Sequence, residues 1–272
     1  MKNSSPKKGY TINFINCNIR NKSKKRCQPD MLDLRGQVAV VTGGSRGIGR
    51  AIALRFAQMG AKTAICARQP GPLQNTEAQM KLSTRHVLAR TVDVTDAQAI
   101  QHFVDIIVAK WGRIDILVNN AGVLRSGKVQ DLPLEDWDWQ FQVNMKGPFL
   151  FTKAVLPHMK KQQAGRLIYI SSTAALISPP GNACYAATKW GLDGLVGSFA
   201  RELCDDNIKC HTIRPGYVNT SLFDIPGRPD NPAIDWIEPD EIANSVEFLC
   251  GLPSHAQVPD LNYTTTYQRK KF

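Results

Sequence analysis

Tyr185 and Lys189 stand four residues apart in Tyr185-Ala186-Ala187-Thr188-Lys189. On a helix, positions i and i+4 share a face, which brings the ammonium beside the phenol. A free tyrosine titrates near pH ~10, and at about 1.4 kcal/mol per pH unit, bringing it near neutrality takes roughly 4 kcal/mol. One cation about 4 Å away supplies energy of that order at an effective dielectric near 20. The pair could therefore move a proton. Alone, the spacing is weak evidence, because most such pairs are accidents of a helix surface. Its company changes the weight: Ser171-Ser172 closes an apolar run thirteen residues before Tyr185, Asn119-Asn120-Ala121-Gly122 closes another, and Asn144 lies on the helix that follows.

These residues need a scaffold, and the chain spells one out. Short apolar runs predict strands at Gln37–Val41, Thr63–Ala67, His86–Val94, Ile114–Asn119, Arg166–Ser171 and Ile208–Ile213, with a further strand over Gln257–Thr264. Helical patterns fall between them: Ile48–Met59, a helix capped by Thr95 or Asp96 that ends near Gly112, and one from about Tyr185 to Cys204. Strand–helix alternation without long hairpins predicts an α/β fold with a parallel sheet covered on both faces. Ligands bind such sheets at the carboxyl ends of the strands, where Ser172 and Asn119 fall.

The first strand runs into Thr42-Gly43-Gly44-Ser45-Arg46-Gly47-Ile48-Gly49 and then a helix. A glycine turn there lets backbone N–H groups approach a pyrophosphate, and the helix N-terminus adds about half a positive charge. No Gly-Lys-[Ser/Thr] follows, so this is not a P-loop. The end of the second strand is where a carboxylate binds an NAD ribose. Here it holds Ala67 and then Arg68. A guanidinium without an acid suits a 2′-phosphate, and Arg46 in the glycine turn is a second cation. The expected cofactor is NADP(H).

Together these motifs resemble the short-chain dehydrogenase/reductase family from Met31 to about Pro215, in order and spacing: T-G-x-x-x-G-x-G, Asp93-Val94, N-N-A-G, the upstream Asn, the Ser, Y-x-x-x-K and Pro215-Gly216. The resemblance implies a single-domain Rossmann fold, a doubly wound parallel sheet of about seven strands with helices on both faces. It implies Tyr185 as general acid in reduction and base in oxidation, with Lys189 lowering its pKa and holding the nicotinamide ribose. Ser172 would hydrogen-bond the substrate oxygen, and Asn144 would hold a water that relays protons to Lys189. Gly43, Ser45, Arg46, Gly47, Ile48, Gly49 and Arg68 would bind the cofactor, as would Asp93, Val94, Asn119, Ala121, Gly122, Pro215, Gly216, Val218 and Thr220. A homo-oligomer, tetramer or dimer, is also implied. The implied substrate is a small carbonyl or alcohol: an acyl-carrier-protein thioester is one candidate, since the body resembles 3-oxoacyl-[acyl-carrier-protein] reductases, and other ketones, sugars or steroids are the alternative. The C-terminus departs from that group, which ends on a Gly-rich strand and a V-D-G-G-like sequence. Lys160, Lys161 and Arg201 could face an acidic carrier or only solvent. Specificity is expected in a loop at about 217–238.

Composition narrows the classes. The 272 residues carry a net charge of +11, but residues 1–30 hold eight Lys and Arg against Asp30 alone, so the body keeps only +4. The basic feature is a tail, which speaks against a nucleic-acid-binding fold. That tail lacks helical periodicity, and Met31 is read as the native start, ahead of a targeting peptide or a nucleic-acid arm. No run of about 18 apolar residues predicts a membrane span. Seven cysteines, odd in number and without C-x-x-C, read as reduced thiols in the cytoplasm. The five histidines lack metal spacing, so no metal is expected. Cys184, Trp137 and Trp139 read as packing. A non-catalytic dinucleotide sensor is the rival from another class; the complete Asn–Ser–Tyr–Lys set speaks against it.

Overall fold

A computed structural model describes residues 32–223 and 236–265. The basic segment 1–30, the middle of the expected specificity loop and the last residues lie outside the described residues. Seven strands form one parallel sheet in the order β3-β2-β1-β4-β5-β6-β7. They are β1 (Val38–Thr42), β2 (Lys62–Ala67), β3 (Val87–Thr91), β4 (Ile116–Asn119), β5 (Gly165–Ile170), β6 (Ile208–Pro215) and β7 (Asp260–Tyr263). The strand order reverses between β1 and β4, and a crevice opens at the carboxyl ends there.

The period of two explains the layering. In β1, Ala39 and Val41 enter one apolar cluster while Val38 and Val40 enter another on the opposite face. The first face is covered by α1 (Gly47–Gln58), α2 (Pro70–Met80) and α7 (Pro239–Cys250), through residues such as Phe56, Met80 and Val246. The second is covered by α3 (Ala97–Trp111), α5 (Gly147–Gln162) and α6 (Ala183–Glu202), through Phe103, Phe151 and Val196. Both faces are dry, which is why the strands read as continuous apolar runs.

Sequence and structure differ in instructive places. The strand expected over 86–94 stops at Thr91, because Val92 turns away to line the crevice. Of the strand expected over 257–264, Asp260–Tyr263 pairs with β6. Asp96, one of two candidate caps, accepts hydrogen bonds from the N–H groups of Gln98 and Ala99 at 2.9 and 3.0 Å. Asn144 does not sit on a regular helix: α4 (Leu134–Phe141) passes into α5 through a π-helical turn, Gln142–Lys146, that carries it. Single π turns mark functional positions because they rotate a side chain out of the regular helical repeat.

His211 on β6 is buried, with Nδ1 2.7 Å from the Val258 carbonyl and no partner for Nε2. Burial is the main force that pushes this imidazole down to about 4. An unfolded histidine binds its proton near pH ~6.5, so the unfolded state gains a proton first as pH falls. The neutral ring's stability is therefore present above about pH 6.5 and is lost as pH falls through about 4, a change of about 3 kcal/mol. Urea unfolding between pH 4 and 7 is expected to show a steeper acid loss in the native chain than in His211→Gln.

Candidate active site

The crevice begins with a clamp between two strand ends. Thr42 Oγ1, at the end of β1, accepts hydrogen bonds from the N–H groups of Asn120 and Ala121, both at 3.0 Å. Asn120 Nδ2 donates to the Thr42 carbonyl at 2.9 Å and to the Gly43 carbonyl at 3.3 Å. The glycine turn is folded so tightly that a Cβ on Gly49 would lie 2.3 Å from the Gly43 oxygen. Gly47 opens α1 at φ 54, the left-handed region that glycine adopts without strain. No side chain caps α1. Its first N–H groups thus lack a protein acceptor of that kind, as an anion site at a helix N-terminus requires. A pyrophosphate fits this cradle: the glycines admit it closely, and the uncapped helix end offers donors.

Beyond the cradle lies a cavity of about 510 Å³. Its charged lining residues among those described are Arg46, Arg68 and Lys189, with no carboxylate. Arg68 follows directly on β2, and its guanidinium lies 5.5 Å from the ring centre of Trp139. Neither Arg46 nor Arg68 forms an ion pair among the described residues.

At the other end, α6 delivers Tyr185 and Lys189 to the carboxyl edge of β5. Both are buried, and Lys189 Nζ lies 5.6 Å from the Tyr185 ring centre while donating to the Ile170 carbonyl at 2.9 Å. Burial pushes the phenol up to about 12, with hydrogen bonding from Ser172 opposing the rise. Burial likewise pushes Lys189 down to about 8, with the Asp193 carboxylate opposing the fall. This differs from the expectation drawn from spacing, in which the cation pulls the phenol toward neutrality. Helix geometry supplies the neighbour, but the largest cause of the shift is burial, which disfavours the charged phenolate.

Ser172 stands two residues beyond β5 and caps the 3₁₀ turn Thr173–Ala175, its Oγ accepting from the Ala174 N–H at 3.1 Å. Asn144 Oδ1 accepts from the Val123 N–H at 2.8 Å, and its Nδ2 donates to the Val123 carbonyl at 2.9 Å and to Thr188 Oγ1 at 3.1 Å. Both side-chain atoms are engaged by protein.

The cavity brings together Gly43, Ser45, Arg46, Gly47, Ile48, Arg68, Val94, Ala121, Gly122, Ser172, Tyr185, Lys189, Pro215, Gly216, Val218 and Thr220. Gly49, Asp93, Asn119 and Asn144 stand behind its wall. Asp93 turns to its own loop, accepting from the Thr95 N–H and hydroxyl at 2.9 and 2.8 Å. Asn119 is buried and donates to Thr152 Oγ1 at 3.4 Å, leaving Oδ1 without a partner. The neighbouring Asn120, passed over in the sequence, is the one that reaches the cavity and ties β1 to β4. Its signal was present in the Asn-Asn pair, since alternating residues leaving a strand face opposite ways. Val92 and Val143 also line the cavity and carried no motif.

A parallel sheet with a glycine cradle at its switch point, a cationic crevice and a buried Tyr–Lys pair defines a dinucleotide-binding α/β protein. Residues 37–225 match the family model for short chain dehydrogenase. The chain belongs to the short-chain dehydrogenase/reductase family and is an oxidoreductase. It is 34% identical over 223 residues to a 3-oxoacyl-[acyl-carrier-protein] reductase of Thermotoga maritima, covering 79% of this chain and 91% of that one. It is also 34% identical over 225 residues to a (2S)-[(R)-hydroxy(phenyl)methyl]succinyl-CoA dehydrogenase subunit of Thauera aromatica, covering 80% and 90%. Among solved structures, a metagenomic short-chain oxidoreductase in complex with NADP superposes with a TM-score of 0.75 at 34% identity, over 86% of this chain and 98% of that one. An alcohol dehydrogenase from the archaeon Thermococcus sibiricus, complexed with 5-hydroxy-NADP, gives 0.77 at 30%, with the same coverage.

The cradle makes its own prediction. Gly49→Ala forces a methyl onto the Gly43 carbonyl and Asn120, an overpacking expected to destabilise the fold by about 1–3 kcal/mol. Thermal unfolding should show a lowered Tm, and NADPH affinity should fall with it.

Proposed function

We propose that this enzyme interconverts a ketone and a secondary alcohol, with Tyr185 as the general acid in reduction and the general base in oxidation. The geometry that carries this reading is the buried Tyr185, whose hydroxyl is hydrogen-bonded with Ser172 in the crevice while the Lys189 ammonium lies over its ring, 5.6 Å from the centre. The cofactor is NADP(H), which supplies the hydride. The lining supports that choice: Arg46 and Arg68 carry charge toward the cavity without a carboxylate to neutralise them, as a 2′-phosphate requires.

In reduction, Tyr185 Oη gives its proton to the carbonyl oxygen as negative charge develops there, and the Ser172 hydroxyl donates a hydrogen bond to the same oxygen. The Lys189 ammonium stabilises the phenolate left behind. Asn144 fixes the floor of the site by joining Val123 to Thr188, whose hydroxyl donates to the Tyr185 carbonyl at 2.7 Å.

A second reading narrows the substrate to a 3-oxoacyl thioester on acyl carrier protein, and the names of the relatives favour it. The basic patch suggested for such a carrier is partly cancelled, because Lys160 pairs with Asp206 at 2.9 Å. A simple ketone is therefore the first substrate to test. Homo-oligomerisation, as a tetramer or dimer, fits the exposed aromatic rings of Phe149 on α5 and Trp190 on α6. A cytoplasmic location is supported by the free thiols of Cys66, Cys184, Cys204, Cys210 and Cys250. No helix among the described residues is long and apolar enough to cross a membrane.

NADPH oxidation against simple ketones and acetoacetyl-CoA tests the reading directly, and preference for the thioester would favour the second one. Tyr185→Phe is expected to lower kcat by roughly 10²–10⁴-fold while leaving NADPH binding within about twofold. Undiminished turnover would overturn the mechanism. The reductive kcat should hold through neutral pH and fall as pH rises through about 8, where Lys189 loses the proton that stabilises the phenolate. A pH profile of kcat at saturating NADPH checks that limb.

A further inference from the structure

Trp139 reads from sequence as helix packing, and it does contribute partly buried area to the core face of α4. Its surroundings are unusual for a packing residue. Two guanidinium groups approach the one indole: Arg68 at 5.5 Å and Arg125 at 4.7 Å from the ring centre. Both lie within the range where a cation is attracted to the negative face of an aromatic ring.

The two arginines are held differently. Arg125 lies 3.7 Å from Asp136, and its backbone exchanges hydrogen bonds with the buried amide of Gln140, at 3.1 Å to Oε1 and 3.3 Å from Nε2. It is an anchored wall of the indole's site. Arg68 is exposed at the cavity rim, and its charge has neither a hydrogen-bond acceptor nor a carboxylate partner among the described residues. Among the described residues the indole is the ring that guanidinium stacks on. Trp139 itself stands about one helical turn before Val143, which lines the cavity, and its ring packs partly buried against the core on that side.

We propose that Trp139 is a positioning residue for the cofactor's 2′-phosphate: its indole holds the Arg68 guanidinium at the cavity rim, and so sets the preference for NADPH over NADH. The inference rests on the assignment of Arg68 to that phosphate. The physical basis is preorganisation. A free arginine loses rotamer freedom when it captures a phosphate, and an arginine already stacked on a fixed ring loses less. An indole can do this without competing for the charge, because it attracts the guanidinium through its face and leaves the N–H fork available to an anion. A carboxylate in the same place would neutralise it.

Direct titration of the full chain with NADPH and with NADH, followed by nicotinamide fluorescence, tests this without knowledge of the substrate. Trp139→Leu is expected to weaken NADPH about three- to tenfold, the size a cation–π contact supports, and to change NADH by less than about twofold. Competition should mirror this, with 2′,5′-ADP weakened and 5′-AMP unchanged. Trp139→Phe, which keeps an aromatic face, should recover most of the NADPH affinity. Arg68→Ala should collapse the difference between NADPH and NADH, and adding Trp139→Leu to it should then weaken NADPH no further. Equal weakening of NADPH and NADH by Trp139→Leu, or no effect on either, would overturn the proposal and return Trp139 to packing. If Arg68→Ala collapses the preference and Trp139→Leu does not, the inference falls while the cofactor assignment stands. If Arg68→Ala leaves the preference intact, the assignment falls and takes the inference with it.

Discussion

Lys189 keeps an ammonium group inside the protein, where an unanswered charge would cost several kcal/mol. The way the structure answers it fixes much else. The Ile170 carbonyl accepts from Nζ at 2.9 Å, which binds α6 to the last residue of β5. The adjacent Thr188 receives the Asn144 amide, and Asn144 grips Val123 just beyond β4. One turn further along α6, the Asp193 carboxylate holds the Lys189 charge against desolvation and pairs with Arg214 at 2.5 Å. Arg214 continues to Asp260 on β7 at 2.8 Å. Alternating charges thus run from the candidate catalytic helix to the sheet edge, and Arg214 immediately precedes the Pro215-Gly216 pair that lines the cavity. Through these contacts the buried cation and its neighbours link α6 to β5, β6, β7 and the segment beyond β4.

The same burial shapes the chemistry. Desolvation disfavours the charged form of each group, so it raises the phenol and lowers the ammonium. Both shifts oppose a phenolate–ammonium pair: the phenol holds its proton more tightly, and Lys189 gives up its own as pH rises through about 8. Ser172 opposes the rise on Tyr185, so the hydroxyl that would contact the substrate oxygen also tunes the acid.

Much of this was legible in the sequence, for identifiable reasons. β1 and β4 are buried on both faces, so their apolar runs were unmistakable, and the glycine turn after β1 declares itself because only glycine tolerates such close approach at position 49. The Tyr185–Lys189 pair follows from helical spacing. What stayed hidden depends on where a backbone turns. Asn119 and Asn120 are identical in type, and only the direction of the last strand residue decides which one enters the wall and which reaches the cavity. Asp93 has the right neighbours but spends its oxygen on Thr95. The π turn at Gln142–Lys146 carries no motif that the sequence reading could have used. The rise of the Tyr185 phenol was hidden because spacing reports a neighbour and says nothing of water.

The layout of charge across the sheet shows how a cofactor would lie in the crevice. Arg68 stands at the end of β2, the uncapped helix end follows β1, and Lys189 meets the end of β5. The order β2-β1-β4-β5 separates the outer two by three strand spacings, about 14 Å. A ligand that satisfies all three positions needs an anion at one end, a second anionic group over α1 and a reactive group beside Tyr185. An extended NADP(H) has this arrangement, with its 2′-phosphate, pyrophosphate and nicotinamide in that order. Past Tyr185 the character changes: Leu124, Ala174 and Ala186 cluster around the ring with Leu222 packed against them. The anionic cofactor and an apolar carbonyl substrate would then approach Tyr185 from opposite sides, meeting where the phenol, the Ser172 hydroxyl and the hydride must coincide.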